Sequence, residues 1–125
     1  MGYTVAVVGA SGAVGQELVK VLERRCQESN FSVETLRLFG SARSAGSMVV
    51  ESTVFGRITV ELFTVAAVRE CDVVFLAVSG SFSLEHAKNI CEGDDGPVVI
   101  DNSVSASWSG RVGSMFSCSL YFAHV

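Results

Sequence analysis

Residues Tyr3 to Val8 form an almost unbroken apolar run, Tyr-Thr-Val-Ala-Val-Val, that stops at Gly9. A run without polar alternation fits a parallel strand covered on both faces. From Ala13 the period lengthens. Val14, Leu18, Val21 and Leu22 share one side, while Gln16, Glu17, Lys20, Glu23 and Arg24 point elsewhere, which predicts an amphipathic helix. After the polar stretch Gln27 to Asn30, Val33 to Phe39 predicts a second strand ending at Gly40. Two β-prone runs, Met48 to Val50 and Ile58 to Phe63, flank the turn-forming Gly56. Asp72 to Val78 repeats the first pattern and ends in Ser79-Gly80. Ser83 to Cys91 predicts a helix with Leu84, Ala87 and Ile90 or Cys91 on one side. Asp94-Asp95-Gly96-Pro97 reads as a turn, and Val98 to Ile100 as another buried strand closed by Asp101.

Doubly apolar strands alternating with helices specify an α/β fold: a parallel sheet with right-handed crossovers and helices on both faces. Ligands of such sheets bind at the carboxyl ends of the strands. Here those ends are Gly9, Phe39 to Ser44, Val78 to Gly80, and Asp101 to Ser103. The pattern supports one domain over residues 1–103. Residues 104–125 are rich in Ser and Gly, then apolar, without a clear period, and read as a divergent tail of unclear structure.

Composition narrows the function. With 49% hydrophobic and 18% charged residues the chain is globular rather than disordered. At 125 residues it is short for a two-domain enzyme. The net charge of -4, with no Lys/Arg run, offers no face for nucleic acid. No signal peptide or membrane-length apolar run is evident, so a cytoplasmic protein is expected. Cys26, Cys71, Cys91 and Cys118 are widely spaced and lack histidines at ligand spacing. Reduced thiols are expected, with neither a metal site nor a disulfide framework.

The most specific signal is Gly9-Ala10-Ser11-Gly12-Ala13-Val14-Gly15, between the first strand and the first helix. Glycines there allow a sharp turn, close approach of backbone to a pyrophosphate, and tight packing of helix on strand. The helix start adds unpaired amides and the positive end of a dipole. The second strand selects the cofactor. NAD sites usually end that strand with a carboxylate for the ribose 2′-hydroxyl, whereas an arginine accommodates a 2′-phosphate. Leu38-Phe39-Gly40-Ser41-Ala42-Arg43-Ser44 has no carboxylate and sets Arg43 between serines, so NADP is expected. Lys20 and Arg37 read as solvated, and Glu34 lies at the wrong end of its strand.

Three segments taken together resemble the aspartate-semialdehyde dehydrogenase family: Val5 to Leu22, Leu36 to Gly46, and Val99-Ile100-Asp101-Asn102-Ser103. Their order and spacing are family-like across Val5 to Ser103. The resemblance implies a Rossmann-type NADP-binding domain from an enzyme of aspartate-family amino-acid biosynthesis. Such enzymes reduce aspartyl phosphate with NADPH by way of a cysteine thioester, with a histidine as acid/base. By position, Gly9, Ser11, Gly12, Ala13 and Val14 would hold the pyrophosphate, and Ser41, Arg43 and Ser44 the 2′-phosphate. Ser79 and Gly80 would lie along the dinucleotide, and Asn102 on the nicotinamide side. Asn102 also reads as an Asx-turn residue closing a strand.

The match fails after Ser103. Ser107 stands where the family has a substrate-phosphate arginine, and Arg111 does not replace it. Cys118 is too early, and preceded by Ser117 rather than Asn, to be the family nucleophile. His86 reads as a solvated or capping histidine and His124 is one residue from the end, so no catalytic residue is assigned. Cys26, Cys71 and Cys91 read as small buried hydrophobes. The second, catalytic and dimerisation domain is expected to be missing, along with its small-molecule substrate site and any homo-oligomer contacts. A noncatalytic NADP-binding module, a fragment related to N-acetyl-glutamyl-phosphate reductase, and a product without function stay open as alternatives.

Overall fold

The computed structural model describes residues 2–28, 32–93, 96–101 and 120–122. Its main strands are β1 (Tyr3–Val8), β2 (Val33–Gly40), β5 (Glu61–Leu62), β6 (Val73–Leu76), β7 (Val98–Asp101) and β8 (Leu120–Phe122). They form one sheet in the order β5-β2-β1-β6-β7-β8, and every neighbouring pair is parallel. The chain runs outward from β1 to β5 and then crosses back to β6, so the direction of winding reverses between β1 and β6. That is the doubly wound, Rossmann-like order, whose ligand crevice lies at the reversal. β8 falls within the tail that sequence reasoning left unread, and it extends the sheet beyond β7.

Alternation along each strand divides the core into two layers. Val5 and Val7 of β1, with Leu36 and Leu38 of β2, face α1 (Ala13–Glu28) through Val19 and Leu22. Ala6 and Val8 face the opposite way, with Phe39, Val74, Leu76 and Val99, toward α2 (Val65–Val68) and α3 (Gly80–Cys91). The buried side of α1 is Gly15, Val19 and Leu22. This is one position round from the predicted stripe, and it leaves Val14 46% exposed at the carboxyl end of the sheet.

The two β-prone runs around Gly56 divide between two sheets. β3 (Val49–Ser52) and β4 (Gly56–Thr59) make an antiparallel hairpin, and Met48, Val50, Phe55 and Ile58 pack it on the α1 layer. Val60 forms the break. Its backbone bonds to Gly46 and Met48, and Glu61–Leu62 then join β2. Thr64 caps the unpredicted α2 by accepting from the Ala67 amide. Just beyond α2, Arg69 donates to the carbonyls of Asn89, Ile90 and Glu92 at 2.8–3.1 Å. It thereby satisfies the carbonyl end of α3, where a cation also complements the helix dipole.

Candidate functional site

At the carboxyl end of the sheet a cleft of about 380 Å³ opens between the ends of β1, β2 and β6. It is built from the turn that follows β1. The amides of Gly9 and Ala10 both donate to the Phe39 carbonyl, and the Gly12 amide returns to Gly9. Gly9 has a φ of +87°, and a Cβ there would be driven into the Ala77 carbonyl oxygen. A Cβ on Gly15 would collide with the Gly9 carbonyl, whereas one on Gly12 would meet only that same oxygen at 3.5 Å. Gly9 makes the turn, Gly15 seats the helix on it, and the space in front of Gly12 is left open. Ser11, Ala13 and Val14 have amides without a backbone acceptor among the described residues. Open donors at a helix start make an anion cradle, and the missing side chain at Gly12 lets a phosphate approach it.

A second cluster of donors follows β2. Residues 41–47 coil so that the Ser41 carbonyl accepts from the amides of Ser44 and Ala45, and the Ser44 carbonyl from those of Ser47 and Met48. The amides of Ser41, Ala42 and Arg43, at the open start of this coil, have no backbone acceptor among the described residues. Arg43 is exposed. The Ser44 hydroxyl donates back to the Ser41 carbonyl at 3.3 Å, so it stiffens the coil rather than reaching outward.

The third wall comes from β6 and α3. Ser79 is the N-cap of α3, accepting from the Phe82 amide at 3.3 Å, and Gly80 is the first helical residue. Of the positions singled out from sequence, the structure gathers Gly9, Ser11, Ser41 and Ser79 around the cleft. Gly12, Ala13 and Val14 continue the turn into α1, Arg43 and Ser44 lie in the coil, and Gly80 sits behind Ser79. Asn102, Ser107, Arg111, Cys118 and His124 lie outside the described residues. Leu62, Phe63 and Phe82 also line the cleft, and sequence reasoning missed them. Phe63 closes the β-prone run from Ile58, but nothing in that run marks it as lining a cleft; Phe82 could have been found by its spacing of four from His86.

Three readings need correction. Arg37, expected to be solvated, is instead the hub of a partly buried ion-pair network at the sheet edge. It donates to both carboxylate oxygens of Glu61 at 2.9 and 2.7 Å, to Glu70 at 3.1 Å, and lies 5.1 Å from the Phe39 ring centre. The cause is register: Glu61 is the direct partner of Phe39 across β2 and β5, so its carboxylate is within reach of Arg37. The guanidinium holds the Glu61 carboxyl below its ordinary range and is itself pushed up, by the same bonds. His86, expected to be solvated or capping, packs against Phe63 and Phe82 with ring centres 5.1 and 4.5 Å away. Cys91, expected to be a thiol, is disulfide-bonded. Its partner is not among the described residues, whereas Cys26 and Cys71 are free thiols. Burial pushes the Cys71 thiol up, and nearby Arg37 opposes that shift.

Among the described residues no cluster of His, Cys, Asp or Glu could hold a metal ion, and no helix is long and apolar enough to cross a membrane. The arrangement offers anion-binding amides at the Gly9–Val14 turn and at the 41–43 coil, beside an apolar wall. The open approach at Gly12 fits the pyrophosphate of a dinucleotide.

Comparison with known proteins agrees with this geometry. Residues 4–116 match the family model described as semialdehyde dehydrogenase, NAD binding domain. The aspartate-semialdehyde dehydrogenase of Aquifex aeolicus is 40% identical over 109 residues, covering 82% of this chain and 28% of that protein. That of Bacillus subtilis is 39% identical over 103 residues, covering 82% and 27%. Aspartate semialdehyde dehydrogenase II of Vibrio cholerae, solved with ASA, superposes with a TM-score of 0.67 at 28% identity over 83% of this chain and 31% of that one. The chain thus spans a little over a quarter of the length of these curated relatives. Its turn, its sheet order and these matches agree that the chain belongs to the semialdehyde dehydrogenase family and comprises the family's NAD-binding domain.

Proposed function

We infer that the chain is the NADP-binding part of an aspartate-semialdehyde dehydrogenase whose full-length form reduces aspartyl phosphate to aspartate semialdehyde with NADPH. The relatives bearing that name, at 40% and 39% identity, support the activity. NADPH, when bound, supplies the hydride. This chain's residues bind and orient it, and no residue here is assigned to bond-making.

The observation that carries the cofactor choice is the coil after β2, with the amides of Ser41, Ala42 and Arg43 left open and no carboxylate between Leu38 and Ser44. A phosphate ester on the ribose is a dianion and needs several donors. The Ser41 and Arg43 amides, the Ser41 hydroxyl and the Arg43 guanidinium supply them, with Ser44 holding the coil in shape. The ribose 2′-hydroxyl of NADH is usually held by a carboxylate, which the stretch from Leu38 to Ser44 lacks. Gly9, Ser11, Gly12, Ala13 and Val14 receive the pyrophosphate, and Ser79 and Gly80 lie along the dinucleotide; Asn102, which the family resemblance assigns to the nicotinamide side, is outside the described residues.

Arg43→Ala tests this assignment. Calorimetric titration should show NADPH weakened by about tenfold, or about 1.4 kcal/mol, with NADH changed by less than about twofold. Equal losses for both would refute the 2′-phosphate role of Arg43.

A further inference from the structure

The cleft has a wall that phosphate binding does not use. Phe63 and Phe82 both line it, with ring centres 4.9 Å apart and planes at 66°. His86 closes a triangle with them, 5.1 Å from Phe63 at 64° and 4.5 Å from Phe82 at 51°. Phe82 and His86 are four residues apart on α3, so one helix face carries both rings, while Phe63 arrives from the end of β5. The two contacts of Phe63 are edge to face and that between Phe82 and His86 is tilted; such ring contacts attract beyond simple area burial, and three of them leave each ring little freedom to turn. His86 does not line the cleft, and its imidazole Nε2 is 3.7 Å from Glu85.

We propose that Phe82, braced by Phe63 and His86, is the stacking surface for the purine ring of the dinucleotide, with His86 a positioning residue that fixes the Phe82 ring. The proposal rests on the dinucleotide reading above. Val8, Leu62, Phe63, Val78 and Phe82 give the cleft its apolar lining, while Ser41 of the ribose-phosphate coil and Ser79 of the α3 cap stand at its rim. A ligand whose phosphates occupy the two donor clusters places its flat, weakly polar base against this lining. A base stacked on an aromatic face is held by the overlap of the two rings, and that overlap depends on the tilt of the ring. A histidine at position 86 serves as an aromatic brace, so phenylalanine should replace it and alanine should not.

The experiment uses the 125-residue chain and NADPH as probe. In wild type, nuclear Overhauser contacts are expected from adenine H2 and H8 to the ring protons of Phe82. His86→Ala should weaken NADPH between threefold and tenfold, and His86→Phe should restore it to within twofold of wild type. The proposal is overturned if NADPH binds without adenine-to-Phe82 contacts, or if the alanine and phenylalanine variants behave alike. Failure of wild type to bind NADPH at all would instead remove the dinucleotide reading on which it rests, and the proposal with it.

Discussion

The hydroxyl of Ser83, in the first turn of α3, donates to a carboxylate oxygen of Asp101 at the end of β7, and both residues are fully buried. These are the two buried polar or charged residues of the described core. A hydrogen bond to a charged group in such surroundings is strong because its loss leaves the carboxylate less well solvated. The pair ties the helix that starts at Ser79 to the strand that leads into Asn102. The helix that supplies one wall of the cleft is therefore anchored to the neighbouring strand by this contact. Ser83→Ala should lower unfolding stability by roughly 1.5–3 kcal/mol, read from urea denaturation with an unchanged slope. An unaltered midpoint would show that other partners of Asp101 suffice.

Arg37 and Glu61 give the fold a pH dependence of defined sign. The carboxyl of Glu61 is held below its ordinary range chiefly by its hydrogen bonds to Arg37. A group whose folded pKa is lowered stabilises the fold above its unfolded pKa, and that contribution is lost as pH falls through the folded value. The side chains are 23% and 40% exposed, so solvent screening limits the pair to about 1 kcal/mol. Glu61→Gln should cost that amount at neutral pH, and the gap between variant and wild type should close as acid titration passes below the ordinary carboxylate range. A gap independent of pH would assign the loss to packing instead.

The glycines of the first turn separate folding from binding. Gly15→Ala forces a Cβ against the Gly9 carbonyl, so it should destabilise the fold by about 1–3 kcal/mol. Gly12→Ala meets only that same oxygen, at ordinary contact distance, so its melting temperature should stay near wild type. Its methyl group would occupy the approach of a pyrophosphate, and NADPH affinity should fall by about tenfold or more, a loss of at least about 1.4 kcal/mol. Parallel scans of thermal unfolding and NADPH titration check both. A Gly12→Ala variant that binds like wild type would remove the pyrophosphate from this turn.

How much could be read in advance varies with the physics involved. Doubly apolar runs such as Val5 to Val8 and Val73 to Leu76 are legible because burial on both faces erases polar alternation. The glycine turn is legible because backbone geometry admits little else at Gly9 and Gly15. The face of α1 was misjudged by one position: Val14 is apolar but belongs to the ligand end, and Gly15, which has no side chain to show in a periodicity, is the buried residue. Arg37 was read as solvated because its partners, Glu61 and Glu70, are distant in sequence and become neighbours only when β5 pairs with β2. Phe63 joins Phe82 and His86 from another element and is hidden for the same reason, whereas Phe82 and His86 share one face of α3 at a spacing of four. Proximity across elements carries no periodic signature.

If the turn from Gly9 to Gly15 and the coil from Ser41 to Ser44 together hold a dinucleotide bearing a 2′-phosphate, titration calorimetry of the 125-residue chain, with folding verified by circular dichroism, should detect it. Saturable binding of NADPH at one site per chain is expected, with weaker binding of NADH. A chain that is folded yet takes up neither, or that prefers NADH, would contradict it.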